Sequence, residues 1–183
     1  MNKIESKIKI FSIFFTILFI GFFSSCTLEG ESNYTPEILF LNNPKLQNGD
    51  SLSFYYTDEG GVFRLDTIQV GDTVKLNLYM HGFANNLLAF YIKDNTESAL
   101  KLVLPEKNSM DSIFLPTSDY ADGKFLMDGK STTLFFPLKY IALKPASKPK
   151  IQFTIVSDAK FKDLWGSNTA TVTLITPIVD RKE

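Results

Sequence analysis

The sequence predicts an all-β fold of antiparallel strands, and three observations support this prediction. Apolar and polar residues alternate along several segments, as they do in strands that bury one face. Turns rich in glycine and aspartate separate these segments at short intervals. No segment beyond the leader carries the apolar period of an amphipathic helix. Short strands at such spacing are typical of a sandwich or a barrel.

The chain of 183 residues begins with a segment that does not belong to this fold. Lys3, Lys7 and Lys9 precede an uncharged, mostly apolar stretch at residues 10–23, and small residues follow it. A membrane-spanning helix needs about 20 apolar residues, so this stretch is short for one. The layout is that of a secretory signal peptide at residues 1–25, with an uncut transmembrane anchor as the alternative.

The leader ends in "FSSC", which contains the only cysteine of the chain. This motif resembles a bacterial lipobox, although Phe23 stands where leucine is usual. The resemblance implies that Cys26 is diacylated and becomes the first residue of a lipoprotein of the Bacteroidetes type, held in the cell envelope and most often in the outer membrane. Two or three acyl chains anchor a protein permanently, whereas one chain holds it only reversibly. An ordinary thiol is the alternative interpretation of Cys26.

A polar segment, "TLEGESNYTP", follows the cysteine, so we expect residues 26–36 to form a flexible tether. Residues 37–183 have the length of one domain and enough aromatic residues to build a core without disulfides. The full chain has a net charge of −1, and loss of the lysine-rich leader makes it more acidic. This balance argues against nucleic acid as a partner, since nucleic acid requires a basic surface.

Alternation identifies the inward-facing residues of three strands. These are Val74, Leu76, Leu78 and Met80 in "TVKLNLYM", Ile151, Phe153 and Ile155 in "KIQFTIVS", and Ala170, Val172 and Leu174 in "TATVTLIT". Further strand-like runs are "EILFL", "SLSFYYT", "VFRLDTIQV", "LLAFYIK", "ALKLVL", "SIFL", "KFLM" and "TTLFFPLKY". Pro137 in the last run cannot donate a hydrogen bond, so that strand should lie at an edge, bulge or break there.

Two segments carry a resemblance to a known superfamily. "VGDTVKLNLYMHGFANNLLAFYI" resembles the B and C strands of bacterial immunoglobulin-like domains, and "KIQFTIVSDAKFKDLWGSNTATVTLIT" resembles their F–G hairpin, with Asp158 closing F and Asn168 opening G. The resemblance implies an antiparallel immunoglobulin-like β-sandwich, with extra N-terminal strands before residue 70. A jelly roll or a partly closed barrel would show the same alternation.

Few residues could support catalysis. His81 is the only histidine and lies where a strand ends, and zinc sites usually require several His or Cys ligands. Carboxylate pairs of the kind that glycosidases use are Asp58 with Glu59, Asp119 with Asp122, and Asp158 with Asp163. All fall in turn-like stretches, where aspartate caps the backbone. We therefore predict no enzyme activity and no cofactor, with Asp119 and Asp122 as a weak calcium candidate.

Three aromatic residues in predicted loops are the candidate ligand contacts: Trp165, Phe83 and Tyr120. In the immunoglobulin-like order they occupy the F–G, B–C and D–E loops, which meet at one end of a sandwich. They form either a ligand platform or a plug over the core.

The sequence thus predicts a lipid-anchored, non-enzymatic module for binding, adhesion or assembly. It would contact the membrane through Cys26 and bind a protein or glycan partner. The first alternative is a glycan-binding accessory protein of a nutrient-uptake system, with Trp165 as the stacking platform. The second is a small hydrolase that uses a carboxylate pair.

Overall fold

The computed structural model describes residues 33–57, 60–161 and 166–181, and these residues form two β-sheets that pack face to face. The first sheet contains β1 (Glu37–Phe40), β2 (Lys45–Leu46), β6 (Thr73–His81), β8 (Leu100–Val103) and β10 (Thr133–Ala142). The second sheet contains β3 (Phe54–Tyr56), β4 (Val62–Leu65), β7 (Leu87–Asn95), β9 (Lys124–Leu126), β11 (Lys150–Ser157) and β12 (Thr169–Ile175). A small pair, β5 (Ile68–Gln69) and β13 (Ile178–Val179), and one short helix, α1 (Lys107–Asp111), complete the described elements.

The order of strands identifies the architecture. The first sheet runs β1-β6-β10-β8, with β2 also paired to β6, and the second runs β3-β4-β12-β11-β7-β9. Within them, β6-β10-β8 and β12-β11-β7 correspond to the B-E-D and G-F-C orders of an immunoglobulin-like sandwich. The predicted fold class is therefore confirmed. The extra N-terminal strands are also present, since β3 and β4 form an antiparallel hairpin at the edge of the second sheet.

Two pairings depart from the predicted antiparallel arrangement. Strand β4 runs parallel to β12, with Leu174 opposite Phe63, and β5 runs parallel to β13. The prediction of antiparallel pairing throughout is wrong at these two places. The physical reason is connectivity, because a parallel pair needs a long connection rather than a hairpin. The early strands β4 and β5 meet the last strands of the chain, and most of the sandwich forms that connection.

The core lies between the sheets and follows the predicted alternation. The inward residues of β6, β11 and β12 are buried, except Ala170, which is half-buried. Aromatic rings fill the centre: the Phe90 and Phe136 centroids are 5.1 Å apart and those of Phe125 and Phe136 are 5.4 Å apart. Such offset and edge-on ring pairs contribute stabilisation beyond their buried area. Phenylalanine packing therefore joins the two sheets at the centre of a core that also contains many aliphatic side chains.

The N-terminal hairpin has an aromatic contact of its own with the sandwich. The rings of Phe54 and Phe63 pack on Phe40, with centroid distances of 5.3 and 5.2 Å. Phe40 also reaches Phe153 in the core at 6.4 Å. This cluster attaches β3 and β4 to both sheets. The added strands are therefore part of the hydrophobic core rather than a peripheral extension.

Strand β10 continues through Pro137 without breaking. Pro137 lies opposite Asn77 of β6, whereas β8 covers only residues 139–142 on the other side. At Pro137 the strand therefore has a neighbour on one side only, which is where a residue without a backbone donor is tolerated.

The predicted turns are present, and Gly123 shows why glycine is needed in one of them. Its φ is +65°, and a Cβ there would lie 2.1 Å from the carbonyl oxygen of Ile92. Only glycine allows this close approach between the turn and β7.

Candidate functional site

The outer surface of the first sheet carries a continuous row of aromatic rings. Tyr79 and His81 alternate with buried residues of β6 and therefore face outward. Their ring centroids are 6.0 Å apart, and the Phe83 ring beyond the strand end lies 4.6 Å from His81. Tyr34 extends the row with a centroid 5.3 Å from Phe83. The four rings thus form a chain of successive neighbours that begins on β6 and continues beyond its end.

Two exposed apolar residues widen this row on either side. Tyr79 lies directly opposite Leu39 of β1 and directly opposite Phe135 of β10. Residues in register on neighbouring strands share a face, so all three side chains point outward together. Leu39 is 46% exposed and Phe135 is 50% exposed. We call this surface the aromatic face: Tyr34, Leu39, Tyr79, His81, Phe83 and Phe135.

The loop between β6 and β7 holds Phe83 in an unusual backbone conformation. Phe83 has a φ of +58°, in the left-handed region that bulky residues rarely occupy. The preceding Gly82 lies close to Asn85, because a Cβ at Gly82 would be 2.3 Å from the Asn85 carbonyl oxygen. The Asp158 carboxylate accepts hydrogen bonds from the backbone N–H and side-chain amide of Asn86, at 2.8 and 3.1 Å. The loop is therefore tied to the segment after β11.

The residues before β1 pack on this same end of the sandwich. Asn33 hydrogen-bonds the backbone of Lys160, and the Tyr34 N–H donates to the Asn85 side chain at 3.3 Å. The Thr35 hydroxyl accepts from the Ser167 N–H at 3.1 Å. Residues 33–36, the end of the predicted tether, thus lie against the loops, whereas the predicted signal peptide at 1–25 and residues 26–32 lie outside the described residues. The polar side chains of Asn33 and Thr35, which suggested a linker, are hydrogen-bond partners of those loops.

A groove rich in lysine lies further along the same outer surface. Lys75 of β6 lies directly opposite Lys45 of β2 and directly opposite Lys139 of β10. The three side chains are exposed and line one cavity of about 500 Å³. The other residues that line this cavity are Asn42, Asn43, Ser51, Leu76, Asn77, Pro137 and Leu138. We call this cavity the lysine groove.

The lysine groove has no internal charge compensation. Its lining contains three lysines and no carboxylate. The ion pairs found among residues 33–57, 60–161 and 166–181 are Lys130 with Asp128 and Arg181 with Asp72, and neither involves a groove lysine. Like charges directly opposite each other on neighbouring strands destabilise a sheet. The groove therefore carries an unbalanced positive charge that an anionic ligand could neutralise.

Tyr120 does not lie with Phe83, so the expectation that these loop aromatics gather at one end is wrong. The Tyr120 ring stacks on Phe125 at 5.6 Å, and its hydroxyl donates to Asp111 at 2.9 Å. Partial burial raises the pKa of Tyr120, and the Asp111 carboxylate raises it further. Tyr120 borders a cavity beside Tyr91–Asp94, several residues along β7 from the loop that holds Phe83. Tyr120 lies there because it belongs to the turn before β9, and β9 pairs with β7 at Tyr91.

The calcium candidate is built as a turn. The Asp119 carboxylate accepts hydrogen bonds from the backbone N–H groups of Ala121 and Asp122, both at 3.1 Å. The Asp119 backbone pairs with Lys124, which closes the turn onto β9. Across the described ranges, no group of three or more His, Cys, Asp or Glu residues could hold a metal ion. One carboxylate oxygen of Asp119 therefore accepts both backbone hydrogen bonds of the turn.

The other candidates for chemistry are placed as follows. His81 belongs to the aromatic face, between Tyr79 and Phe83. Asp158 ties two loops together through Asn86. The remaining candidates, Cys26, Asp58, Glu59, Asp163 and Trp165, lie outside the described residues. Among the helices of the described part, none is long and apolar enough to cross a membrane.

Comparisons with known proteins show a distant likeness to solved structures. No family model and no curated protein matches the chain. Two solved structures of the C-terminal domain of BspA, an AgI/II polypeptide of Streptococcus agalactiae, align with 13% identity and a TM-score of 0.36. Each alignment covers 78% of this chain and 50% of the other, so this chain spans about half the length of those structures.

The sequence contained part of the information needed to find this surface. In "TVKLNLYM" the alternation that predicts the inward residues leaves Lys75, Asn77 and Tyr79 on the outward face. The same rule applied to "TTLFFPLKY" leaves Phe135 outward, between buried Leu134 and Phe136. The pairing of Tyr79 with Leu39 and Phe135 depends on strand order, which alternation within one segment does not contain.

Proposed function

We propose that this chain is a lipid-anchored protein of the cell envelope that acts as a non-enzymatic binding module. The observation that carries the binding role is the aromatic face, because Leu39 and Phe135 flank Tyr79 in register and are about half exposed. Exposed apolar residues scattered singly are ordinary, whereas a contiguous exposed patch marks a contact surface. Aromatic side chains are also enriched among the residues that dominate binding energy.

The construction of the face also favours binding. Tyr79, Leu39 and Phe135 stand on paired strands, so their positions are fixed before a partner arrives. A preformed surface loses less conformational entropy on binding than a flexible loop does. The lysine groove adds polar and charged contacts beside the apolar surface, as the rim of an interface does.

The anchoring part of the proposal depends on the leader and on Cys26. It is tested by incorporation of labelled palmitate into the wild-type chain and into Cys26→Ala. We expect label in the wild type and none in the variant, and an unlabelled wild-type chain would contradict the anchor. Protease treatment of intact cells would then show whether the domain faces outward or into the periplasm.

The binding role is tested on cells that produce the full chain. Immobilised polysaccharides and envelope or surface proteins serve as ligands, and the test variant carries Tyr79→Ser with Phe135→Ser. The control is Val179→Ser, which changes a residue of β13 that is 46% exposed. We expect the double variant to lose most of the binding and the control to retain it.

Two results would contradict the binding role as proposed. The first is binding that is equal in all three chains, which would place the contact away from the aromatic face. The second is release of a chemically altered ligand by the wild-type chain, which would indicate an enzyme. Mass spectrometry of the recovered ligand distinguishes a binding module from a hydrolase.

A further inference from the structure

We propose that the lysine groove binds an acidic polysaccharide and that the aromatic face holds sugar rings of the same ligand. This inference rests on the proposed binding function and names the class of its ligand. Four features carry it: the charge of the groove, the polar groups around the lysines, the length of the surface, and the backbone pairing of the strands below.

The charge of the groove favours an anion with more than one acidic group. Lys45, Lys75 and Lys139 occupy one row across β2, β6 and β10. Side chains directly opposite on neighbouring strands have Cβ atoms about 5 Å apart, so the three amino groups act on one small region. An ammonium group can only donate hydrogen bonds, and its strongest ones are to ionised acceptors such as carboxylate, phosphate or sulfate oxygens. A ligand with repeated acidic groups can pair with all three.

The groups around the lysines suit a sugar. Asn42, Asn43 and Asn77 line the groove together with Ser51. Amides and hydroxyls both donate and accept hydrogen bonds, which matches the hydroxyl groups of a sugar. These side chains line the same cavity as the three lysines, so the groove offers neutral and ionic contacts together.

The length of the surface favours a chain over a single sugar. Outward positions follow one another about 7 Å apart along a strand, so Phe135 lies about 13 Å along β10 from Lys139. Pro137 stands between them and also lines the groove. The apolar faces of sugar rings can stack on aromatic side chains, while the acidic groups reach the lysines. A ligand that meets both rows must be an oligomer with acidic and apolar parts.

The backbone argues against an extended peptide as the occupant. Peptides that bind to sheets commonly add a strand to an exposed edge. At Lys75, β6 has β2 on one side and β10 on the other, and β10 at Lys139 pairs with both β6 and β8. β10 has an open edge beside the groove, on its β8 side before Lys139, but Pro137 there has no backbone N–H to donate to an added strand. Recognition at the lysine row therefore depends on side chains.

The test uses affinity electrophoresis of the full mature chain in detergent. The probe is polygalacturonate, and its fully methyl-esterified form is the neutral comparison with the same backbone. The test variant carries Lys45→Gln, Lys75→Gln and Lys139→Gln. The control carries Lys93→Gln, Lys148→Gln and Lys150→Gln, which remove the same charge from exposed positions outside the groove.

We expect the wild type and the control to be retarded by polygalacturonate and not by its ester. The groove variant should bind about tenfold more weakly or worse, because three charge-assisted contacts are lost. Added salt should weaken wild-type binding, since exposed charges are screened. Equal retardation of the groove variant and the control by polygalacturonate would overturn the inference. Retardation of the wild type by the ester as strongly as by polygalacturonate would also overturn it. So would a wild-type chain that neither polygalacturonate nor a sulfated polysaccharide such as heparin retards.

Two further probes distinguish a polysaccharide from other anions. Poly-L-glutamate and vesicles of phosphatidylglycerol carry negative charge without sugar rings. The inference would be overturned if the chain bound either of these probes as strongly as polygalacturonate and Phe135→Ser left that binding unchanged. The groove would then be assigned to an acidic protein or a lipid surface. We expect Phe135→Ser to weaken polysaccharide binding and to leave weak binding to poly-L-glutamate unaltered.

The same variants separate this inference from the proposed function. If Tyr79→Ser with Phe135→Ser abolishes binding to a neutral ligand while the lysine variant retains it, the binding function stands and the acidic ligand is wrong. If neither set of substitutions affects any ligand found, both fail. If both sets weaken acidic polysaccharide binding, both are supported.

Discussion

The hydroxyl groups of Tyr140 and Thr176 lie 2.9 Å apart and share a hydrogen bond inside the sandwich. Both residues are fully buried. Tyr140 belongs to β10 of the first sheet, and Thr176 follows directly after β12 of the second sheet. A buried polar group without a partner is costly, so each of these hydroxyls depends on the other. The pair therefore links β10, which bears Phe135 and Lys139, to the opposite sheet.

The first prediction concerns removal of one partner of this pair. We expect Tyr140→Phe to lower the free energy of unfolding by about 1–3 kcal/mol, because the Thr176 hydroxyl is left buried without a partner. Adding Thr176→Val should recover part of the loss, since both polar groups are then absent. Urea denaturation measures both variants. A double variant no more stable than Tyr140→Phe alone would contradict this account.

The second prediction concerns the alkaline pH dependence of stability. Burial raises the pKa of Tyr140 above its usual value of 10.0. Above about pH 10 the unfolded chain loses this proton while the folded chain keeps it, so stability is complete below that pH and falls as pH rises. The decline from this residue reaches about 1.4 kcal/mol per pH unit.

Tyr140→Phe should lose this part of the decline, whereas Tyr55→Phe, at a side chain that is 60% exposed, serves as the control. Denaturation curves between pH 8 and 11 measure the effect. Equal slopes in the wild type and Tyr140→Phe would show that the buried hydroxyl does not titrate as described.

The third prediction concerns the cost of the lysine row in the absence of a ligand. Lys75 lies opposite Lys45 and Lys139, so Lys75→Thr should stabilise the chain by up to about 1 kcal/mol. The matched control is Lys93→Thr, at an outward position of β7 opposite Gln152. The gain should shrink at high salt, because salt screens exposed charges. If Lys75→Thr and Lys93→Thr stabilised the chain equally, the cause would be the higher strand propensity of threonine rather than the removal of charge repulsion.

The sequence predicted the buried residues of β6, β11 and β12, apart from the half-buried Ala170, because that information is local. The alternation in β6 identified Val74, Leu76, Leu78 and Met80, and the structure buries all four. Asp158 and Asn168 were expected to flank two strands, and β11 ends at Ser157 while β12 begins at Thr169. The side-chain period of a strand needs only neighbouring residues to be read.

The order of the strands and the make-up of the candidate site depend on contacts between segments that are distant in the sequence. The lysine row requires the register of three strands, and nothing near Lys45 in the sequence specifies Lys75 as its neighbour. The predicted position of Tyr120 was wrong because β9 pairs with β7. A strand of three residues is too short for its partner to be predicted from the sequence. Helix α1 has only five residues, of which Met110 is the one that is buried.

The fourth prediction concerns the loop connection beside the aromatic face. Asp158→Ala removes the two carboxylate hydrogen bonds to Asn86 but leaves the bond from the Asp158 N–H to the Asn86 carbonyl. It should cost about 1 kcal/mol, since the carboxylate is exposed. Amide exchange should increase in residues 82–86, and chymotrypsin should cleave more readily after Phe83. The control is Asp122→Ala, an exposed aspartate of another turn, which should change neither quantity. Unchanged exchange in Asp158→Ala would show that the loop is held by other contacts.

The last prediction concerns the strained backbone of Phe83. Its φ of +58° is tolerated by asparagine and strongly disfavoured for β-branched residues. Phe83→Asn removes the ring contacts with His81 and Tyr34 but relieves strain, so its stability should stay within about 1 kcal/mol of the wild type. Phe83→Val removes the same contacts and keeps the strain, so it should be about 1–2 kcal/mol less stable than Phe83→Asn. Thermal denaturation of the two variants compares them directly. Equal stability would mean that the loop changes its conformation when the ring is lost, and that the aromatic row itself holds the backbone in place.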